Sequence, residues 1–536
     1  MDKIVIVGSG ASGVHFALSV LKKGYEVTML DVGYHREEIL NPDQNIHELR
    51  ANLDDPVAYF LGRNFEAFIT PDNNSEYYGI PPSKNYVLAK PSGFGYESSG
   101  FAPLFSFARG GLAEVWTGGS YPLNPDELAD FPFTFEELSS YYSEISERIG
   151  ISGKRDDLAN FYPFHNNIME PLDLDNHSDM LLSGYYRKKI YFNKALNFYM
   201  GRSRIATLTR EKGSRRACTY TGRCLWGCPT AALYTPSMTL EECGTFQNFK
   251  YIPDMYVTHF KYNEQGNIMS VIAENTKNGQ HREFDLDRLV LAAGTLSSSK
   301  IFMDSIFRKT GEIVRLKGLM DNRQVLIPFL NLKMAGRHVE PHFYQYHQLA
   351  LGIKSENPKD YVHGQITTLK SALIHPLIQS LPFDLKTSIY VFRNFHSALG
   401  LINLNFNDYR RDDNYVSLKC DNGKSMSTLL INYRPRVGES ALLEKSIRTV
   451  KKAFLRLGCI VTSGMIRIRP MGASVHYSGT VPMSENGSSF TTTKYCRSRD
   501  FNNLYFVDGT TFPFLPSKNL TLTLMANAVR VAENAF

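Results

Sequence analysis

Two stretches of this sequence have residue types and spacings that could do chemistry. The first is Gly8-Ser9-Gly10-Ala11-Ser12-Gly13, with Asp31 about twenty residues on. In the G-x-G-x-x-G pattern Gly8 allows a tight turn and Gly10 lets the backbone approach a pyrophosphate. Gly13 lets a helix pack closely on a sheet, and that helix's N-terminus faces the phosphate charge. Asp31 can accept both ribose hydroxyls of an adenosine. The unit alone suits NAD and FAD equally. The second stretch is the cysteine run Cys218, Cys224 and Cys228, closed by Pro229. A cysteine followed by proline invites an iron–sulfur reading, but C-x5-C-x3-C lacks paired C-x2-C steps and a nearby fourth ligand. Cys243 lies fifteen residues further on. Zinc fails for the same reason. The expectation is no metal, and small buried thiols packed in a tight turn.

The elements that must position the glycine unit are legible around it. Ile4 to Val7 is a short apolar strand, a helical pattern runs through Leu21 to Lys22-Lys23-Gly24, and Val27 to Asp31 is a second strand. Residues 34–90 read as irregular, with turn chemistry at Asn41-Pro42-Asp43 and Thr70-Pro71-Asp72-Asn73-Asn74. From Ser92 the chain is rich in Gly, Ser and Phe, and two Gly-Gly pairs bracket the segment from Gly110 to Gly119. Such a stretch suits backbone brought close to a flat or anionic ligand.

A helix is predicted over 134–149, with Phe135, Leu138, Tyr142, Ile145 and Ile149 on one face. Thr134 and Glu137 form its capping box, Gly150 stops it, and it leads away from the nucleotide unit. Lys250–Pro253, Val257–Phe260 and Ser270–Ala273 are strand-like. Leu289 to Gly294 is a buried strand running into a second glycine turn, placed to extend the sheet begun at Lys3. Residues 306–465 carry His338, His342, Phe343, Tyr344, Tyr346 and His347, with alternating runs at Ser388–Phe392 and Leu399–Leu404. These imply an antiparallel sheet with one face turned to a cavity. Glu439 to Leu457 reads as an amphipathic helix.

Composition excludes several classes. The 536 residues suffice for about two to four domains. They are 43% hydrophobic and 21% charged with net charge +6, and no basic tract points to nucleic acid. No export signal or apolar run of about eighteen residues is visible, so no transmembrane segment is expected. Seven cysteines, an odd number, fit a reducing compartment, and the expected location is cytoplasmic.

The C-terminal stretch carries a resemblance. Gly472 to Met483, with His476-Tyr477-Ser478-Gly479-Thr480 inside it, precedes Val507-Asp508-Gly509, and Asn519 opens the terminal helix. With the glycine unit, residues 109–120 and the strand at 289–294, this chain resembles the glucose–methanol–choline (GMC) flavin oxidoreductases. The resemblance implies an α/β chain (α+β overall). A Rossmann-like FAD-binding domain at 1–125, 200–305 and 470–536 interleaves with a substrate domain and connecting segments at 126–199 and 306–469, built on an antiparallel sheet.

The resemblance makes Gly8, Gly10, Ala11, Ser12, Gly13, Asp31, Gly111, Val257, Ala293, Gly294, Asp508 and Gly509 contacts of FAD. Trp116-Thr117-Gly118 resembles the segment that passes the flavin's reactive nitrogen. Some relatives attach FAD covalently through a histidine just before that tryptophan; Val115 stands here, so the FAD is expected to be non-covalent. The implied reaction oxidises an alcohol to a carbonyl, with His476 as general base and Asn519 orienting the hydroxyl. The electrons pass on to oxygen or another acceptor. Polar aromatics and Asn in 340–410 suit a sugar, aminosugar or other hydroxylated natural product. A hydrophobic alcohol, or a flavin-retaining lyase on the same fold, is the alternative. Oligomeric state is not legible.

Overall fold

The strand Lys3–Val7 is apolar at four of its five positions because both of its faces are covered. Ile4 and Ile6 face one core, and Val5 and Val7 face another. In the computed structural model, which describes residues 2–36, 44–67, 79–370, 378, 381–419 and 427–536, this strand lies at the centre of a five-stranded parallel sheet. The order is Leu504–Phe506, Arg288–Leu291, Lys3–Val7, Glu26–Leu30, Phe249–Ile252. The helices Ala11–Lys22, Phe135–Ile149 and Thr521–Ala535 cover one face. The helix Thr295–Thr310 and an antiparallel ribbon of Met255–Tyr262, Ile268–Asn275 and His281–Asp285 cover the other. Parallel strands buried on both faces read as continuous apolar runs, as here.

A second sheet of seven strands is antiparallel throughout. Its path runs Cys459–Ile460, Arg323–Asn331, Leu399–Phe406, Val362–Thr368, Leu349–Ile353, Phe198–Arg202, and Arg467–Ile468 also pairs with Arg323–Asn331. Alternation divides it cleanly. Val325, Ile327, Ile366, Ile402 and Leu404 pack on the helices Asn176–Arg187 and Glu439–Leu457. The intervening residues Gln324, His363, Gln365, Asn403 and Asn405 form a buried polar face.

Several expectations change. Ser388–Phe392 is not a strand but part of a helix, Leu385–Phe395. Asp384 caps it by accepting from the Thr387 amide, and Ser388 and Phe392, four apart, are buried while Tyr390 is 70% exposed. The 34–90 region holds two short helices, Ile46–Asn52 and Pro56–Leu61, each capped by the Asn or Asp before it. The turns expected at 41–43 and 70–74 lie outside the described residues. Residues 338–347 are loop, with no strand among them. The helix Phe135–Ile149 has both bonds of its capping box, but it packs into the nucleotide core rather than leading away: Tyr142 Oη meets Thr523 Oγ1 at 2.9 Å. Cys218 and Cys228 pack beside Met169, Leu208 and Ala232, and Cys218 and Cys224 beside Leu172, Ile205 and Tyr344. Among the described residues no helix is long and apolar enough to cross a membrane.

Candidate active site

A long cavity runs from the glycine turn to His476. At one end stand Gly8, Gly10, Ala11 and Ser12, with Asp31 beside them. Gly8 has φ +102°, and a Cβ there would sit 2.7 Å from the Ala292 carbonyl oxygen. A Cβ on Gly13 would sit 2.3 Å from the Gly8 carbonyl oxygen, so this glycine serves helix–strand packing and does not line the cavity. A Cβ on Gly10 would meet nothing within 4 Å, since that face opens into the cavity. Asp31 is buried, accepting from Ser9 Oγ and from Tyr251 Oη at 3.2 Å. Burial pushes its carboxyl up to about 7, against the pull of those hydrogen bonds.

The cavity's middle is built by strand ends. Gly111, Val257, Ala293, Gly294, Asp508 and Gly509 line it. The Asp508 carboxylate is used by the protein itself: it accepts from the Gly294 amide at 2.9 Å, from Ser298 Oγ at 2.5 Å and from Thr510 Oγ1 at 2.7 Å. It thus ties the turn after Arg288–Leu291 to the turn after Leu504–Phe506. Three helices begin at this cavity, at Ala11, Thr295 and Thr521, and none has a side chain capping its first amides. Their free N–H groups and positive dipole ends favour an anionic ligand.

At the far end His476 opens onto the cavity at one edge while protein surrounds the rest of the ring. Val475 before it has φ +60°, costly for a β-branched residue. Asp321 pins that turn, accepting from the Gly472 amide at 2.6 Å and from Ser474 Oγ, which in turn accepts from the His476 amide at 3.0 Å. Desolvation, helped by the Arg469 charge, lowers the His476 imidazole to about 4. Its Nε2 lies 3.3 Å from Asn519 Nδ2, so these two predicted residues are brought together. Trp116, Thr117 and Gly118 do not line the cavity: Trp116 Nε1 donates to the Tyr234 carbonyl at 2.7 Å, and the Gly118 Cα faces Leu233. The neighbouring Gly119 lies against Asn519.

The sequence reading missed two contacts. Asn322 Oδ1 lies 3.0 Å from His476 Nδ1, and Gln365 Nε2 donates to Asn519 Oδ1 at 2.6 Å. Neither carries a spacing signal, although Gln365 falls on the alternating polar side of its strand.

Comparison with known proteins places this geometry. Residues 462–528 match the family described as GMC oxidoreductase. The chain is 22% identical to 2-methyl-1,2-propanediol dehydrogenase of Mycolicibacterium austroafricanum over 99% of its own length and 94% of that protein's. The fold is similar to pyridoxine 4-oxidase from Mesorbium loti, with TM-score 0.60, 14% identity and 99% of each chain covered. It is also similar to the formate oxidase of Aspergillus oryzae RIB40 in a variant structure, with TM-score 0.62, 12% identity and 99% and 97% covered. Joining the matched C-terminal segment, which holds His476 and Asn519, to a dinucleotide unit at the opposite end of the sequence, the chain belongs to the GMC oxidoreductases, FAD-dependent enzymes that oxidise alcohols.

Proposed function

We propose that this enzyme oxidises a carbinol of a polar, hydroxylated small molecule, with His476 as general base. The observation that carries the reading is the pairing of His476 Nε2 with Asn519 Nδ2 where the cavity ends. The residues present fit FAD: the open face of Gly10 accommodates a close phosphate, and three uncapped helix starts supply amides to an anionic cofactor. Gly8, Gly10, Ala11, Ser12 and Asp31 would hold its ADP half, and Gly111, Val257, Ala293, Gly294, Asp508 and Gly509 would surround the rest. Val115 offers no nucleophile, so the flavin is held non-covalently. When bound, FAD supplies the acceptor for the hydride leaving the carbinol carbon.

The chain's own residues handle the proton. A neutral imidazole offers a lone pair, and desolvation keeps His476 neutral at working pH. The Asn519 amide orients the hydroxyl by hydrogen bonding and cannot itself act as base. The polar sheet face supports a hydroxylated substrate over a hydrophobic alcohol. Gln365 and Asn403 are paired neighbours on it, and the Asn403 Oδ1 is buried with no partner among the described residues. The six described cysteines are free thiols, which supports a reducing compartment such as the cytoplasm.

The test is anaerobic mixing of the yellow enzyme with a panel of polyols, sugars and alkyl alcohols while flavin absorbance is followed. Polyhydroxylated members should bleach it fastest, and acid precipitation should release the flavin into solution. His476→Ala should keep its colour and slow reduction about 10²–10⁴-fold. Reduction within a few-fold of the unsubstituted enzyme would remove His476 as base.

A further inference from the structure

Both ring nitrogens of His476 face amides whose orientation is fixed from outside the site. Asn322, buried just before the strand Arg323–Asn331, donates from Nδ2 to the carbonyls of Phe406 and Pro516, each at 2.8 Å. A carbonyl oxygen only accepts, so the amide nitrogen must lie between those two and the amide oxygen must face His476 Nδ1 at 3.0 Å. The hydrogen in that contact therefore belongs to the ring.

At the other nitrogen, Gln365 Nε2 donates to Asn519 Oδ1 at 2.6 Å and turns Asn519 Nδ2 toward His476 Nε2. A neutral imidazole with its hydrogen on Nδ1 carries its lone pair on Nε2, which gives Asn519 an acceptor. The reverse setting of the two amides would need a doubly protonated ring, which desolvation and the Arg469 charge oppose. Gly119 makes room for the arrangement: a Cβ there would lie 2.8 Å from Asn519 Oδ1 and 2.9 Å from Gln365 Nε2.

We propose that Asn322 and Gln365 are positioning residues that lock His476 in the Nδ1–H tautomer, leaving Nε2 bare for the substrate's hydroxyl proton. This rests on His476 being the base. In the proton step the substrate's O–H bond breaks, the proton bonds to Nε2, and the electron pair stays on the oxygen. The Asn322 oxygen keeps accepting from Nδ1–H throughout, so it also holds the imidazolium that forms. A neutral amide does this without the rise in proton affinity that a carboxylate would impose. The charged or titratable groups around the ring are Arg469, His363 and, beneath the turn, Asp321.

The test uses holoenzyme labelled with 15N-histidine. The His476→Gln spectrum identifies this ring among the fourteen histidines. The unsubstituted enzyme should show a protonated Nδ1 and a bare Nε2; a proton on Nε2 overturns the proposal without any substitution at Asn322 or Gln365. Asn322→Ala and Gln365→Leu enzymes that retain FAD should lose the single tautomer. They should reduce their flavin about 10²-fold more slowly, the typical cost of a reacting group misplaced by an ångström, with KM within a few-fold. Wild-type reduction rates in both variants would also overturn it. If instead His476→Ala leaves reduction intact, the base assignment fails, whichever tautomer is seen.

Discussion

His476 Nε2 can take a proton only while the ring is neutral, and the protein secures this by holding the pKa near 4 rather than near 6.5. The sign is that of a depressed cationic acid: lowering the pH protonates the group later in the folded than in the unfolded chain. The rate of flavin reduction should therefore stay level from neutral pH to about 5 and fall through about 4, while stability declines as pH drops from about 6.5 to about 4. Stopped-flow reduction at each pH checks this. A half-loss near 6.5 would mean that the titrating base is an exposed histidine instead. At this scale the sequence disclosed His476 and Asn519 only through the motif around them. Asn322 and Gln365 stand 154 positions from their partners, beyond the reach of any local pattern.

The turn that presents Asn519 is anchored by a buried ion pair. Lys518 and Glu127 are both 0% exposed and 2.6 Å apart, and Lys518 Nζ spends its other hydrogens on the carbonyls of Pro122 and Phe161 at 2.9 and 3.1 Å. Burial pushes the Glu127 carboxyl up and the Lys518 ammonium down, and their contact pulls each back. Lys518→Met should cost about 3–5 kcal/mol in chemical unfolding because it strands Glu127; adding Glu127→Leu should recover much of that. Equal stability of the single variant and the unsubstituted enzyme would mean that the pair carries no such load. Elements whose termini are written in side chains were legible, as Thr134, Glu137 and Gly150 show for Phe135–Ile149. The helix Leu385–Phe395 was misread because five apolar-rich residues fit either period, and only burial of Ser388 and Phe392 against exposed Tyr390 separates them.

Across the whole molecule, the pairing of the two ends in one sheet followed from joining the glycine unit to Val507-Asp508-Gly509, and the strands do pair that way. The seven-stranded sheet was legible only as a class, because its register depends on contacts between strands far apart in sequence. The ends are also fastened by side chains. Lys23 Nζ donates to the carbonyls of Ala532, Glu533 and Phe536 at 3.0, 2.9 and 3.2 Å, and the Phe16 and Phe536 rings meet edge to face. Deleting residues 521–536 should expose the apolar side of the helix Ala11–Lys22 and abolish flavin retention, measured as flavin absorbance per protein after gel filtration. A truncated chain that stays yellow would refute it.

That fastening has a consequence for biosynthesis. The strand Lys3–Val7 leaves the ribosome early, yet the edge strand Leu504–Phe506 and the helix that covers Ala11–Lys22 are translated last. At ordinary elongation rates the half-covered sheet waits roughly 25 to 100 s. Flavin loading then falls after release of the nascent chain, and chaperones that shield apolar surface act on the N-terminal unit throughout that wait.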